Sequence, residues 1–154
     1  MRRPRAFAIA ILAAFLVVAS AAPAISAQRL RVYRGETSQG ESISFRVART
    51  ENGRFISEMA YGVTLTCEDQ TTFGVGIGWG LANSVPIIDR EFTFDAELQT
   101  DATHVAGDLG KLRGSGTLLV NWGGLTAEEQ PQLCTTGDLT WTVEYVRTIT
   151  RPRF

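Results

Sequence analysis

The sequence predicts an all-β protein of one domain: an antiparallel β-sandwich, with a small β-barrel as the alternative. Apolar and polar residues alternate with a period of two through most of the chain after residue 28. Gly, Asn and Asp interrupt these runs at short intervals, as turns between strands do. No window repeats every three to four residues over any length, so no helix is expected there. A sandwich or barrel would cover the core and protect the sheet edges.

Each alternating run should form a strand with one packed face and one solvated face, which is typical of antiparallel sheets. Eight or nine strands joined by short links are expected. The clearest runs cover residues 30–34, 43–47, 55–67, 73–79, 92–98, 104–109, 117–122 and 139–145.

Turn signals separate these runs. Asn52-Gly53 predicts a two-residue hairpin turn, because both residue types tolerate positive φ. Ser38-Gln39-Gly40 predicts the turn between the first two strands, with Gly35 and Gly40 on either side of the reversal. Residues 123–133 are expected to form the longest loop.

The first 27 residues have the pattern of a secretory signal peptide. Arg2, Arg3 and Arg5 form a basic start, an apolar run follows over 6–19, and small residues end at Ala27. Cleavage is expected after Ala27, with Ala24 as the alternative site, and a retained signal anchor remains open. The segment 28–154 would then be a single secreted or envelope-associated β domain with no membrane contact.

Charge argues against a nucleic-acid partner. The formal net charge of the chain is −1, and the three leader arginines carry +3, so the remainder has a net charge of −4. Nucleic-acid binding would need a basic patch. The arginines near the C-terminus are spread thinly and are interpreted as solvated.

Two cysteines, Cys67 and Cys134, predict a disulfide, because an exported protein with an even cysteine count usually pairs them. The alternatives are a pair of metal ligands or a redox pair. Neither alternative has the close spacing of a Cys-x-x-Cys motif. A bridge across a loop this long should contribute roughly 4 kcal/mol in the chain-entropy model.

Glycines on alternate positions of the run 73–80 form a strip without side chains. Glycine weakens a strand, so an interaction should offset the cost. In the first interpretation a large neighbour such as Trp141 or Tyr61 lies across the strip, and Gly76→Val would unfold the domain. In the alternative the strip is the wall of a groove for an apolar or glycan ligand. The candidate ligand contacts on it are Gly74, Gly76 and Gly78.

The tryptophans divide into core and surface candidates. Trp141 lies among apolar partners in its strand and is expected in the core. Trp122 precedes Gly123-Gly124 and is expected to be exposed, where an aromatic ring is a useful stacking platform. Trp79 and Trp122 are therefore candidate ligand contacts beside the glycine strip.

Catalytic chemistry is weakly indicated. His104 is the single histidine, no Gly-x-Ser-x-Gly elbow occurs, and His104 is interpreted as a surface residue on a strand edge. Asp101, His104 and Asp108 match no metal-ligand spacing. Asp95 and Glu97 share the polar face of a strand, so a hydrolase is the less favoured alternative. No cofactor, metal site or enzymatic activity is expected.

Three segments resemble a family of small, secreted, uncharacterised β-rich proteins of actinobacteria and similar high-GC bacteria. The first is Tyr-x-Gly-x-Thr-Ser-Gln-Gly before an alternating strand (33–47). The second is a strand that ends in Cys before an Asp turn (64–69), and the third is Cys-x-Thr-Gly-x-x-x-Trp-Thr (134–142). Gln70 and Arg90 stand where the family has glycine, which leaves those two turn types open. The resemblance implies the β fold and the disulfide, and it implies no activity.

The favoured function is therefore a secreted, non-catalytic module that binds a glycan or an envelope protein. A small-ligand carrier or a partner-inhibiting module, with an apolar groove at the glycine-rich strand, is the alternative. Retention of the protein on glycan material and a cavity in the structure would discriminate between the two.

Overall fold

Nine antiparallel strands form the fold in a computed structural model that describes residues 27–98, 100–125 and 131–152. No helix occurs in those ranges, so the predicted all-β class is confirmed. The predicted signal peptide lies outside the described residues, apart from Ala27. The strands are β1 (Ala27–Thr37), β2 (Ser42–Thr50), β3 (Gly53–Cys67), β4 (Thr72–Ile87), β5 (Glu91–Leu98), β6 (Asp101–Leu109), β7 (Arg113–Leu125), β8 (Pro131–Thr135) and β9 (Leu139–Pro152).

The strands pair in the order β4-β3-β2-β1-β9-β7-β6-β5. The long pairing of β1 with β9 joins the two ends of the described chain, from Ala27 opposite Pro152 to Thr37 opposite Trp141. β8 pairs with both β3 and β7, so the pairings return on themselves through β3, β2, β1, β9, β7 and β8. β4 extends this circuit beyond β3, and β6 and β5 extend it beyond β7. The choice between a sandwich and a small barrel stays a prediction.

The disulfide links β3 to β8, at the pairing that completes this circuit. Cys67 and Cys134 are directly opposite each other at the junction of β3 and β8, with their Cα atoms 3.8 Å apart. The predicted bridge is confirmed. It connects two positions 67 residues apart in the sequence.

The loop predicted over 123–133 is wrong at both ends. β7 continues to Leu125, and β8 begins at Pro131. The segment Pro131–Thr135 has no apolar alternation and starts with a proline, which is tolerated at the first residue of a strand. Its strand conformation comes from pairing with β3 and β7 and from the disulfide, which local sequence does not reveal.

The core is built around Trp141, which is buried as predicted. Its ring lies 5.0 Å from the Phe45 ring and 5.9 Å from the Phe92 ring, between ring centroids. The indole N–H donates to the Thr117 carbonyl at 3.0 Å. A Cβ added at Gly107 or Gly116 would lie 2.5–2.6 Å from the Trp141 ring. These two glycines, and not the strip on β4, are the ones that a large ring covers.

The side chain of Gln39, in the β1–β2 turn, hydrogen-bonds the backbone of a β3 residue that has no strand partner on that side. β2 pairs with β3 up to Tyr61, and β8 pairs with β3 from Thr66, so Thr64 between them lacks a strand partner on that side. The Gln39 side chain donates to the Thr64 carbonyl and accepts from the Thr64 N–H, both at 2.8 Å. The turn predicted at Ser38-Gln39-Gly40 is confirmed, because β1 ends at Thr37 and β2 begins at Ser42. Gly40 has φ 80° in this turn.

Two expectations about turn glycines are corrected. Gly35 lies within β1, where an added Cβ would meet the Thr142 carbonyl oxygen at 1.8 Å, so it permits close strand approach. The β2–β3 turn consists of Glu51 and Asn52, and Gly53 begins β3.

Gln70 and Arg90 stand where the resembling family has glycine. Both have a left-handed backbone, although neither is a glycine. Gln70 has φ 69° in the β3–β4 turn. Asp89 and Arg90 have φ 49° and 79° in the β4–β5 turn, which matches a type I′ hairpin turn with positive φ at both central positions. Both turns therefore form in the conformation that glycine favours.

Replacing both Cys67 and Cys134 with alanine should lower the free energy of unfolding by about 4 kcal/mol, because the unfolded chain regains the entropy of the closed loop. Urea denaturation measures the change. Dithiothreitol should lower the wild-type midpoint toward that of the double variant and leave the variant unaffected. An unchanged midpoint for the variant contradicts the stabilising role of the bridge.

Gln39→Ala should cost about 1 kcal/mol of unfolding free energy, because the Thr64 N–H and C=O lose their protein partners. Gln39→Glu preserves the size and the acceptor, but its carboxylate cannot donate to the Thr64 carbonyl at neutral pH. It should therefore also be destabilised in urea denaturation. Wild-type stability of Gln39→Glu would show that the paired amide contacts contribute nothing.

Candidate functional site

A cleft opens where β4 and β5 diverge. Asp89 and Arg90 join these strands in a tight turn, but only the bridge between Ile88 and Glu91 pairs them, because β4 continues along β3 and β5 along β6. The space between them is a cavity of about 220 Å³. Its lining comes from β4, β5, β6 and β7: Ile77, Trp79, Ala96, Asp101, Thr103, Val120, Asn121 and Trp122.

Trp79 and Trp122 line this cleft, and each packs against a second ring that does not line it. The Trp79 and Phe94 rings meet edge to face, with centroids 5.4 Å apart, and Phe73 and Trp122 do the same at 5.6 Å. Such edge-to-face pairs are favourable beyond the area they bury. Each candidate tryptophan is therefore held in place by a second ring and remains partly accessible from the cleft.

A hydrogen-bond chain fixes the orientation of Trp79. The Trp79 indole N–H donates to the Tyr61 hydroxyl at 3.2 Å, and that hydroxyl donates to the Thr103 hydroxyl oxygen at 3.1 Å. Burial raises the pKa of Tyr61, although the hydrogen bonds with Thr103 and Trp79 oppose the shift. Tyr61 therefore stays protonated at neutral pH and can serve as donor and acceptor at once.

Polar groups of β6 and β7 lie at the edge of the cleft. The Asp101 carboxylate accepts the Gly123 N–H at 3.1 Å, which ties the start of β6 to β7 beside Trp122. Asn121 also lines the cleft. The cleft thus combines an apolar interior with a carboxylate that can accept a hydrogen bond from a ligand hydroxyl.

The glycine strip lies on the opposite face of β4 from Trp79. Gly74, Gly76 and Gly78 are exposed, and an added Cβ at Gly76 or Gly78 would meet nothing within 4 Å. The interpretation in which a large ring covers the strip is therefore wrong. The strip instead lines a broad outer groove of about 890 Å³ together with residues of β1, β2, β3 and the β1–β2 turn.

The candidate ligand contacts consequently belong to two separate surfaces. Trp79 and Trp122 line the inner cleft, whereas Gly74, Gly76 and Gly78 line the outer groove. The expectation that Trp79 and Trp122 lie beside the glycine strip is therefore wrong, because alternation along β4 places Trp79 and the glycines on opposite faces. The location of Trp122 beside Trp79 was not readable from the sequence, because β7 and β4 are distant in the sequence.

The other titratable candidates are dispersed. His104 lies on β6 between β5 and β7, so it is not on a strand edge as expected, and its Nδ1 is 2.6 Å from the Asp95 carboxylate on the exposed face. Asp108 pairs with Arg90 at 2.7 Å. Across the described ranges, no three or more His, Cys, Asp or Glu side chains are grouped to hold a metal ion.

Within 27–98, 100–125 and 131–152, no helix has the length and apolar character needed to cross a bilayer.

Comparison with known proteins leaves the geometry as the basis for function. No protein-family model, no curated protein and no solved structure matches this chain. The resemblance drawn from the three motifs stays a prediction.

Gly76→Ala and Gly116→Ala should have opposite effects, although both replace a strand glycine with alanine. Gly76→Ala should leave the protein as stable or more stable by about 0.5 kcal/mol, because the added methyl group meets nothing and restricts the unfolded chain. Gly116→Ala should cost about 3 kcal/mol, because its Cβ would collide with the Ala106 carbonyl and the Trp141 ring.

Urea denaturation of both variants tests this contrast. A destabilised Gly76→Ala variant would restore the interpretation in which a neighbour covers the strip. A Gly116→Ala variant of wild-type stability would contradict the packing of Trp141 described above.

Proposed function

We propose that this protein is a secreted, non-catalytic binding module that takes one ring of a glycan into the cleft between Trp79 and Trp122. The observation that carries the proposal is an accessible apolar cleft with an indole ring at either side and polar groups at its edge. Indole rings offer a flat apolar surface to the C–H face of a sugar, while the Asp101 carboxylate can accept a hydrogen bond from one of its hydroxyl groups.

The size of the cleft favours one ring. A volume of about 220 Å³ lies below the roughly 300–1,000 Å³ of pockets that enclose drug-sized ligands. A sugar ring at the end or side of a polymer can enter while the rest of the ligand stays outside. This argues for attachment to a larger glycan over the alternative, a carrier that encloses a whole small molecule.

The disulfide supports a location outside the cytoplasm. Cys67 and Cys134 are joined in a small domain, and such bridges persist in oxidising compartments. Together with the basic and apolar pattern of residues 1–27, this favours export. We place the module at the cell envelope or in the extracellular medium.

Trp122→Ala should weaken retention of the oxidised protein (residues 28–154) on insoluble cell-wall glycan by about fivefold, because a stacking contact of the order of 1 kcal/mol is lost. Sedimentation of the protein with the glycan measures the bound fraction. Val146→Ala is the matched control, since Val146 is an exposed apolar side chain that does not line the cleft.

Tryptophan fluorescence and urea denaturation should show that both variants remain folded. Equal retention of Trp122→Ala and wild type would remove the cleft as the binding site. No retention of the wild type on any envelope fraction would contradict the proposed function as a whole.

A further inference from the structure

A second concavity, here called the basic basin, lies at the other end of β7 from the cleft. Its volume is about 630 Å³, and residues of β1, β2, β3, β9 and the β6–β7 turn line it. Five of these residues are cationic, and no Asp or Glu occurs among the described lining residues. The cationic residues are Arg29, Arg31, Arg49, Arg54 and Lys111, and Tyr145 contributes an aromatic wall.

The strand register explains why these residues converge. On β2, Arg49 continues the inward face that carries Phe45 and Val47, and Arg31 is the β1 residue opposite Val47. Arg54 on β3 is directly opposite Arg49. The arginines thus occupy core-facing positions where the strands run beyond the apolar core, and they surround an open end of the interior.

Two of the cations are held by neutral groups. The Arg31 guanidinium donates to the Lys111 carbonyl and lies 4.4 Å from the Tyr145 ring centroid. Arg54 Nη2 donates to the carbonyl oxygens of Leu109 and Gly110 at 2.9 and 3.3 Å. Carbonyl and aromatic partners orient the guanidinium groups but do not neutralise their charge.

In the described part of the chain, the arginines that pair with carboxylates lie outside the basin. The arginine–carboxylate pairs within the described part of the chain involve Arg46, Arg90, Arg113 and Arg151, and none involves a basin residue. Like charges directly opposite each other in a sheet are unfavourable, as Arg49 and Arg54 are here. An anion between them would relieve that repulsion.

We propose that the basic basin binds a compact ligand with several phosphate groups. Guanidinium groups present paired N–H donors that match phosphate oxygens, and five cations can balance several negative charges on one small molecule. The remainder of the chain after the leader has a net charge of −4. A long nucleic acid would meet that acidic surface, whereas a compact oligophosphate would contact the basin alone.

Calorimetric titration with sodium tripolyphosphate tests the proposal on the oxidised protein (residues 28–154). Saturable binding is expected, and it should weaken as salt screens the charges. Arg49→Gln should lower the affinity about tenfold, because one charge-assisted contact is lost. Arg147→Gln removes the same charge from an exposed position outside the basin and should leave the affinity within about twofold, since the remaining effect is screened.

Other ligands distinguish the sources of phosphate. Binding to tripolyphosphate and to vesicles that contain a bisphosphorylated lipid headgroup supports a shared phosphate chemistry, and binding to tripolyphosphate alone identifies a soluble ligand. Binding only to a single-stranded oligonucleotide, or equal affinity for tripolyphosphate and citrate, would overturn the proposal. So would equal loss of affinity in Arg49→Gln and Arg147→Gln.

Trp122→Ala separates this inference from the proposed glycan function. The variant lacks a wall of the cleft but retains every basin residue, so its affinity for tripolyphosphate should equal that of wild type. A common loss of both ligands in Trp122→Ala, with the fold preserved, would contradict the existence of two independent sites.

Discussion

The pairing of β8 with β3 on one side and β7 on the other is the constraint on which the cleft depends. β3 carries β4, and therefore Trp79, whereas β7 carries Trp122. The disulfide fixes β8 to β3 at Cys67, and the same Cys134 is directly opposite Trp122 in the register with β7. The disulfide therefore lies in the strand connection between the two tryptophans, beside the backbone pairing of β8 with β3 and β7. Stability and the candidate site depend on the same few residues.

The cleft exists because the outermost strands of the pairing order do not join. β4 and β5 follow each other through a tight turn at Asp89 and Arg90, yet each continues along a different neighbour. Side chains cover part of the resulting gap, and the Trp79–Phe94 contact holds the strands together near one end. Full pairing of β4 with β5 would have filled the space with backbone. Divergence leaves it for a ligand.

Alternation in the sequence predicts which residues share a face, but it does not reveal what covers that face. The strands and the core position of Trp141 were predictable for that reason, whereas the disulfide was predictable from the even cysteine count. The same alternation could not distinguish Gly76, which is open to solvent, from Gly116, which lies under the Trp141 ring. Their surroundings come from strands distant in sequence. β8 was missed because pairing and the disulfide, not its own residues, set its conformation.

The basic basin could not be predicted from the sequence, although one of its residues gives a signal. Its cations are scattered from residue 29 to residue 111, so the linear sequence shows no basic cluster, and the negative net charge argues against one. The signal is that Arg49 continues the β2 face that carries Ile43, Phe45 and Val47. Arg31 gives no such signal, because it alternates with the buried Leu30 and Val32 and reaches the basin opposite Val47 only through the pairing of β1 with β2. An arginine there must lie at an open end of the interior or be neutralised within it.

The separation of the two sites follows from the length of β7. From Arg113, next to the basin's hairpin, to Trp122 at the cleft, a strand rise of about 3.3 Å per residue gives a distance on the order of 30 Å. That exceeds the Debye length of about 10 Å at moderate ionic strength, so charge in the basin has little effect at the cleft. The proposed cleft ligand would be selected by shape and apolar contact, and the proposed basin ligand by charge. The two sites share no lining residue, so each proposal can stand without the other.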